Sequence, residues 1–238
     1  MIWPGRLEAR YEWAGLEPWL RGRGLAVRLR LVESPSDGRH EVGSLERTAD
    51  TEALRRTAGG LPPGSCEAAL WACTSGSFVG GLAHARAQAA AIAAATGAPA
   101  TSTSLALVAA ARALGAGRVA LLSPYPEDAT ARLVAFLAEA GIEVAALRRL
   151  DCPSGEDSNA LDLAAAAEAF GAGLPAGGPP LLVPDTAINS LALVELLEAC
   201  LGRAVITANQ ATLWHGLALA GRDAAGLGGR LARVTLRE

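Results

Sequence analysis

Ala68-Ala69-Leu70-Trp71-Ala72-Cys73-Thr74-Ser75-Gly76-Ser77 reads as a short apolar strand, a turn of small polar side chains and the start of a helix. A second stretch has the same layout. Leu181-Leu182-Val183-Pro184 runs into Asp185-Thr186-Ala187-Ile188-Asn189, and an apolar helical pattern follows. Behind each helix lies another matching block. Thr96 to Ser104 precedes a helix ending at Gly115, and Leu201 to Gln210 precedes one ending at Gly221. Gly97 and Gly115 are 18 residues apart, Gly202 and Gly221 are 19 apart. Self-similarity of this kind predicts an α/β protein of two similar Rossmann-like, parallel-sheet halves related by pseudo-twofold symmetry. Ligands of such sheets bind beyond the carboxyl ends of the strands. The active site is therefore expected in the cleft between the halves, where both five-residue turns sit.

Outward from these turns, strands are expected at Ala26–Val32, Ala68–Ala72, Val119–Ser123, Glu143–Leu147, Leu181–Pro184 and Ala204–Thr207. Helices are expected at Ser77–Ala95, Leu105–Leu114, Glu127–Ala140, Asn159–Phe170, Asn189–Cys200 and Gln210–Ala220. Gly171–Pro180 is a loop. The first strand is nearly missing, with only Ile2 and Trp3 before Pro4. One half is expected to take residues 1–115 and 205–238, with the Cys73 turn. The other takes 116–204, with the Asp185 turn.

Composition narrows the chemistry. The 238 residues are 51% hydrophobic, enough for a substantial core, and the net charge of −3 gives no nucleic-acid footprint. Apolar runs are interrupted by Gly, His, Arg or Pro, so no membrane span is expected, and the N-terminus lacks a signal-peptide pattern. Cys66, Cys73, Cys152 and Cys200 lack paired spacing, which suits reduced thiols in a cytoplasm. Every basic residue is Arg, so neither an internal Schiff base nor a P-loop lysine is available. His40, His84 and His215 show no metal-ligand spacing, and no cofactor or metal is expected. Thiols, carboxylates, hydroxyls and backbone dipoles remain. Ala-rich apolar helices point to a homo-oligomer.

Cys73 stands where a helix begins, facing unpaired N–H groups and the positive end of the dipole, a placement that lowers thiol pKa values. Thr74 and Ser75 leave the backbone open to a carboxylate, and with Thr186 and Ala187 they offer an oxyanion-type cradle of amides. The bland alternative for Cys73 is a buried, inert thiol. Asp185 has two readings. It is a plain N-cap of the next helix, or it faces Cys73 across the cleft. A thiolate and a carboxylate ~4 Å apart repel by about 4 kcal/mol at an effective dielectric of ~20. One of them then holds a proton at neutral pH, and the two titrate as a pair. Thiolate with protonated Asp185 is the natural assignment; the reverse makes Asp185 the base. Tyr125, after a strand end, is a phenol donor or a boundary aromatic. Asn159 is a site amide or a helix cap. Thr101 to Ser104 line the cleft or cap a helix. His84 and His215 read as packed or surface residues, Trp3, Trp13 and Trp19 as a packing cluster, and Cys66, Cys152 and Cys200 as structural.

Several ordered motifs carry a resemblance. Trp71-Ala72-Cys73-Thr74-Ser75-Gly76-Ser77 resembles the first catalytic turn of the maleate cis-trans isomerases, in the Asp/Glu racemase superfamily, and Pro184 to Leu191 is similar to the second. Ile206 to Trp214 resembles the Ser-Asn-Gln-Ala segment of that family, and Ser123-Pro124-Tyr125 its Thr-Pro-Tyr, whose tyrosine lies in the active site. Asp157-Ser158-Asn159 falls where those enzymes carry a substrate-binding Asn. The resemblance spans roughly Cys66 to Gly221. It implies a cofactor-independent enzyme acting on a small carboxylic acid through two facing cysteines. This chain departs from it: the second position holds Asp185. The related arylmalonate decarboxylases keep only the second cysteine, so this chain is the mirror case. The family's Val-Pro-x-x-Asn loop is here Trp3-Pro4-Gly5-Arg6-Leu7, which leaves Arg6 or Arg10 to replace the missing carboxylate-binding Asn.

The resemblance implies isomerisation of an unsaturated diacid by addition of a Cys73 thiolate. The alternatives are racemisation or decarboxylation through an enediolate, hydrolytic or carbon–carbon cleavage at the same cysteine, and a non-catalytic acid-binding module.

Overall fold

Strands buried on both faces read as continuous apolar runs rather than alternating ones. The runs around Leu70 and Leu182 form such strands in the computed structural model, which describes residues 1–236. The first sheet contains β1 (Ile2–Pro4), β2 (Val32–Ser34), β3 (Ala69–Trp71) and β4 (Ala100–Ser102), in the order β2-β1-β3-β4. The second contains β5 (Arg118–Ser123), β6 (Glu143–Arg149), β7 (Leu181–Val183) and β8 (Val205–Thr207), in the order β6-β5-β7-β8. Every pairing is parallel. Counted within each half, the order is second, first, third, fourth in both, as a duplication requires.

Eleven helices flank the sheets among the described residues. In the first half they are α1 (Leu16–Gly22), α2 (Val42–Thr48), α3 (Thr51–Gly59), α4 (Thr74–Phe78), α5 (Gly81–Thr96) and α6 (Thr103–Ala113). Then come α7 (Glu127–Glu139), α8 (Gly155–Asn159), α9 (Leu163–Gly171), α10 (Val194–Leu201) and α11 (Ala208–Leu219). The repeat read from the glycines has a conformational basis. Gly97 ends α5 and Gly202 ends α10, each left-handed (φ 70° and 64°), where a Cβ would be strained.

Several expected boundaries moved. The strand expected at Ala26–Val32 is β2 at Val32–Ser34, because β1 offers only Ile2, Trp3 and Pro4 as pairing partners. Those three residues are nonetheless a central strand, bonded on both sides. The helix expected at Ser77–Ala95 is split into α4 and α5 at Gly80 and Gly81, the latter with φ +83°. Asn159–Phe170 is divided between α8 and α9, whose N-cap is Asp162. Asn189–Cys200 becomes a 3₁₀ turn at Leu191–Leu193 followed by α10. Residues 205–207, expected with the first half, pair with β7 and so belong to the second sheet. The chain crosses over immediately afterwards, and α11 packs on α6 and β4.

Candidate active site

The two quoted turns follow β3 and β7 at the carboxyl ends of the sheets, and they touch. The Asp185 amide donates to Thr74 Oγ1 (3.2 Å), and Thr186 Oγ1 donates to the Ala72 carbonyl (3.1 Å). Cys73, Thr74, Ser75, Asp185, Thr186 and Ala187 all line one cavity of about 240 Å³. A larger groove of about 920 Å³ opens at the amino ends of the first sheet, by Met1, Cys66 and Ala69, and holds none of the candidate residues.

Cys73 has extended backbone angles and caps α4, its Sγ accepting the Gly76 N–H at 3.3 Å. Gly76 is required for space: a Cβ there would lie 2.8 Å from the Trp71 ring and 3.1 Å from Sγ. The thiol is not acidified. Burial pushes it up to about 12, aided by the Asp185 charge and opposed by the Gly76 amide and the Ser75 hydroxyl. The expected lowering fails because a helix of five residues contributes little dipole, while Cys73 is 3% exposed. The site therefore holds a thiol where a thiolate was expected.

Asp185 is not an N-cap. Its φ of 104° is rare for a side chain other than glycine, and no helix starts directly behind it. Oδ1 instead accepts the Ala187 N–H at 3.0 Å, so this amide is spent on the carboxylate rather than left free for a cradle. Oδ2 is buried with no hydrogen-bond partner. The group facing it is His40 Nε2, 3.6 Å away, from the loop after β2. His40 is 4% exposed, and its Nδ1 lies 2.9 Å from the Cys152 carbonyl. A carbonyl only accepts, so Nδ1 carries the hydrogen. The His40 loop clasps the second half: the His40 amide donates to Pro153, the Gly155 amide to Gly38, and Arg39 bridges to Ser154.

The other predicted residues are dispersed around this centre. Tyr125 is fully buried, its hydroxyl unpartnered and its ring edge-on to those of His40 (4.8 Å) and Phe78 (5.3 Å). Burial, with the nearby Asp185 and Cys73 charges, raises its pKa well above the ordinary phenol value. Asn159 ends α8 rather than capping it, and its amide holds the Ala187 carbonyl at 2.8 Å from behind the cavity wall. Ser102 caps α6 and Ser104 bonds Ser77 and the Thr74 carbonyl, so that polar run supports the turn. Of the two arginines, Arg6 lines the cavity, while Arg10 is tied to Glu8 and Glu156 at the surface. Sequence reading missed His40, and it missed the wall made by Trp3 and Tyr11, whose rings lie 5.2 Å apart. His40 carried one usable signal, its position in a loop leaving the carboxyl end of a strand. His84 bonds the Ala49 carbonyl and His215 bonds Thr101, both packed as expected. All four cysteines are free, and no group of His, Cys, Asp and Glu among the described residues could hold a metal.

A family model described as arylmalonate decarboxylase matches residues 48–232, from before β3 through both turns to beyond α11. The chain belongs to the arylmalonate decarboxylase family. An unliganded arylmalonate decarboxylase is 30% identical, with a TM-score of 0.67 over 77% of this chain and 81% of its own. The maleate isomerase Iso of Pseudomonas putida is 23% identical (TM-score 0.83, covering 97% and 96%). A maleate cis-trans isomerase mutant of Nocardia farcinica with a covalently bound succinylcysteine intermediate is also 23% identical (0.80, 98% and 96%). These likenesses to the isomerases bear out the fold of two parallel sheets with flanking helices. No curated protein sequence matches. Both enzyme kinds lie in the Asp/Glu racemase-like superfamily, as the motifs implied, and this arylmalonate decarboxylase family member is an enzyme.

Proposed function

We propose that this enzyme isomerises a small unsaturated dicarboxylic acid, of the maleate type, by covalent addition of Cys73 and without a cofactor. The observation that carries this reading is the placement of Cys73 Sγ on a cavity wall shared with Asp185. The thiol proton passes to Asp185, Sγ adds to the double bond, and the electron pair moves into the adjacent carboxylate as an enediolate. Rotation about the new single bond and expulsion of Sγ give the trans acid. The amides of Thr74 and Ser75, in the first turn of α4, have no carbonyl four residues back to bond, and they suit the developing charge. Arg6 at the mouth supplies a cation for the second carboxylate. Tyr125 and Asn159 serve the site from behind, the first through its phenol and the second by holding the Ala187 turn.

A second reading is enediolate protonation after decarboxylation or in racemisation. Its support is the neutral Cys73 thiol, which is a proton donor as it stands. Proton NMR in D2O with maleate, aspartate, glutamate and substituted malonates separates the readings. Fumarate from maleate, lost in Cys73→Ala, is the expected result. Deuterium at an α-carbon, or loss of CO2, selects the second. No conversion in any case removes both for these acids. A cytoplasmic location, consistent with four free thiols, and a homo-oligomer complete the proposal, and light scattering reads the latter.

A further inference from the structure

The addition step requires Asp185 to hold the Cys73 proton for as long as sulfur is bonded to carbon. A carboxyl that gains a proton in a buried site also gains a donor, and a donor without an acceptor is costly there. Asp185 Oδ1 is already occupied by the Ala187 amide, so the proton belongs on Oδ2, the buried oxygen without a partner. The titratable nitrogen nearest that oxygen among the described residues belongs to His40. His40 Nε2 stands 3.6 Å from it, and in the neutral ring the Cys152 carbonyl takes the Nδ1 hydrogen and leaves the Nε2 lone pair free.

We infer that His40 is a positioning residue whose Nε2 accepts the hydrogen of protonated Asp185, allowing the carboxyl to keep the thiol proton during catalysis. The inference rests on the isomerase reading above. The balance closes within the chain. The Sγ–H bond breaks and an Oδ2–H bond forms; the sulfur pair makes the C–S bond while the π pair enters the substrate carboxylate. On expulsion the double bond re-forms, and Sγ recovers the proton from Oδ2. No oxidant, reductant or co-reactant is used. Protonation of the imidazole would remove the acceptor, so the mechanism requires His40 to be neutral. The titratable side chains against its ring are Asp185 and Tyr125, and Cys73 lines the same cavity. Arg39 and Glu41 flank His40 in a surface ion pair of their own.

Two measurements on the full chain test this without any substrate. The first is alkylation of Cys73 by iodoacetamide, resolved by peptide mass spectrometry from pH 6 to 10, with exposed Cys200 as the internal control. His40→Phe keeps the ring contact with Tyr125 but removes both nitrogens, and Cys73 alkylation should fall about tenfold at pH 8, the effect of one pK unit. His40→Gln puts an acceptor back near Nε2 and should recover most of that loss. A merely structural role would leave the two variants alike, since both lose the Cys152 bond. Equal rates in wild type and His40→Phe, or a Gln variant no faster than Phe, overturn the inference. The second is the histidine ¹⁵N spectrum of wild type, which needs no variant to fold. The Nδ1-protonated tautomer is expected at His40, and the Nε2-protonated form overturns it. If maleate is not turned over while both results hold, the proton pair stands and the substrate assignment fails.

Discussion

The two turns occupy equivalent places in a duplicated fold and are built in opposite ways. After β3 the backbone stays extended at Cys73 (φ −139°), a helix starts at once, and the thiol turns back onto an amide of that helix. After β7 the backbone swings to φ 104° at Asp185, no helix starts there, and the carboxylate folds onto Ala187. One turn sets a thiol at the start of a helix; the other uses a backbone amide to hold a carboxylate. Duplication supplied two similar sockets, and the side chain at each first position decides what the socket does.

The comparison breaks most visibly at Cys73. Cys73→Ala should lower maleate turnover by about four orders of magnitude with the circular dichroism spectrum unchanged, as removal of a nucleophile does. A variant that keeps even a tenth of the wild-type rate would make the first turn a binding element only. Next in size is the reactivity of the thiol itself. With its pKa raised from 9.0 to about 12, the thiolate fraction near pH 8 is about a thousandfold below that of an unperturbed cysteine. Without added substrate, Cys73 should therefore alkylate far more slowly than Cys200, and its rate should keep rising with pH beyond 10. Asp185→Asn should cost about a hundredfold in kcat, at the low end for a lost acid–base group, with little change in KM. A wild-type kcat would return Asp185 to a purely local role.

Two stability measurements sharpen the contrast. Gly76→Ala should lose about 1–3 kcal/mol, because the added methyl meets Trp71, and denaturant titration reads it directly. The smallest effect is the most diagnostic. At position 185 Gly should be more stable than Ala by about 1 kcal/mol, because φ is positive. At position 73 the order should reverse, because the backbone there is extended. The same sign at both positions would mean that the turns share a backbone after all.

The duplicated architecture was legible because glycines with positive φ punctuate it, and Gly97 and Gly202 mark the same joint twice. Cys73, Asp185 and their neighbours were legible because strand–turn–helix grammar puts them at the carboxyl ends of strands. The short helices α1, α2 and α3 were not read, since the earlier segments lack the Ala-rich periodicity of the later ones. His40 escaped because its partners, Asp185 and Cys152, are more than a hundred residues away along the chain. The raised thiol pKa escaped for a related reason. A capping position is a local property, whereas burial among Ile2, Leu54, Trp71 and Ile92 is set by the whole fold.

The clasp between residues 38–40 and 153–155 joins the halves beside the cavity with backbone bonds, and the same peptide run carries His40 to Asp185. Any parting of the halves along this seam withdraws the imidazole from the carboxyl.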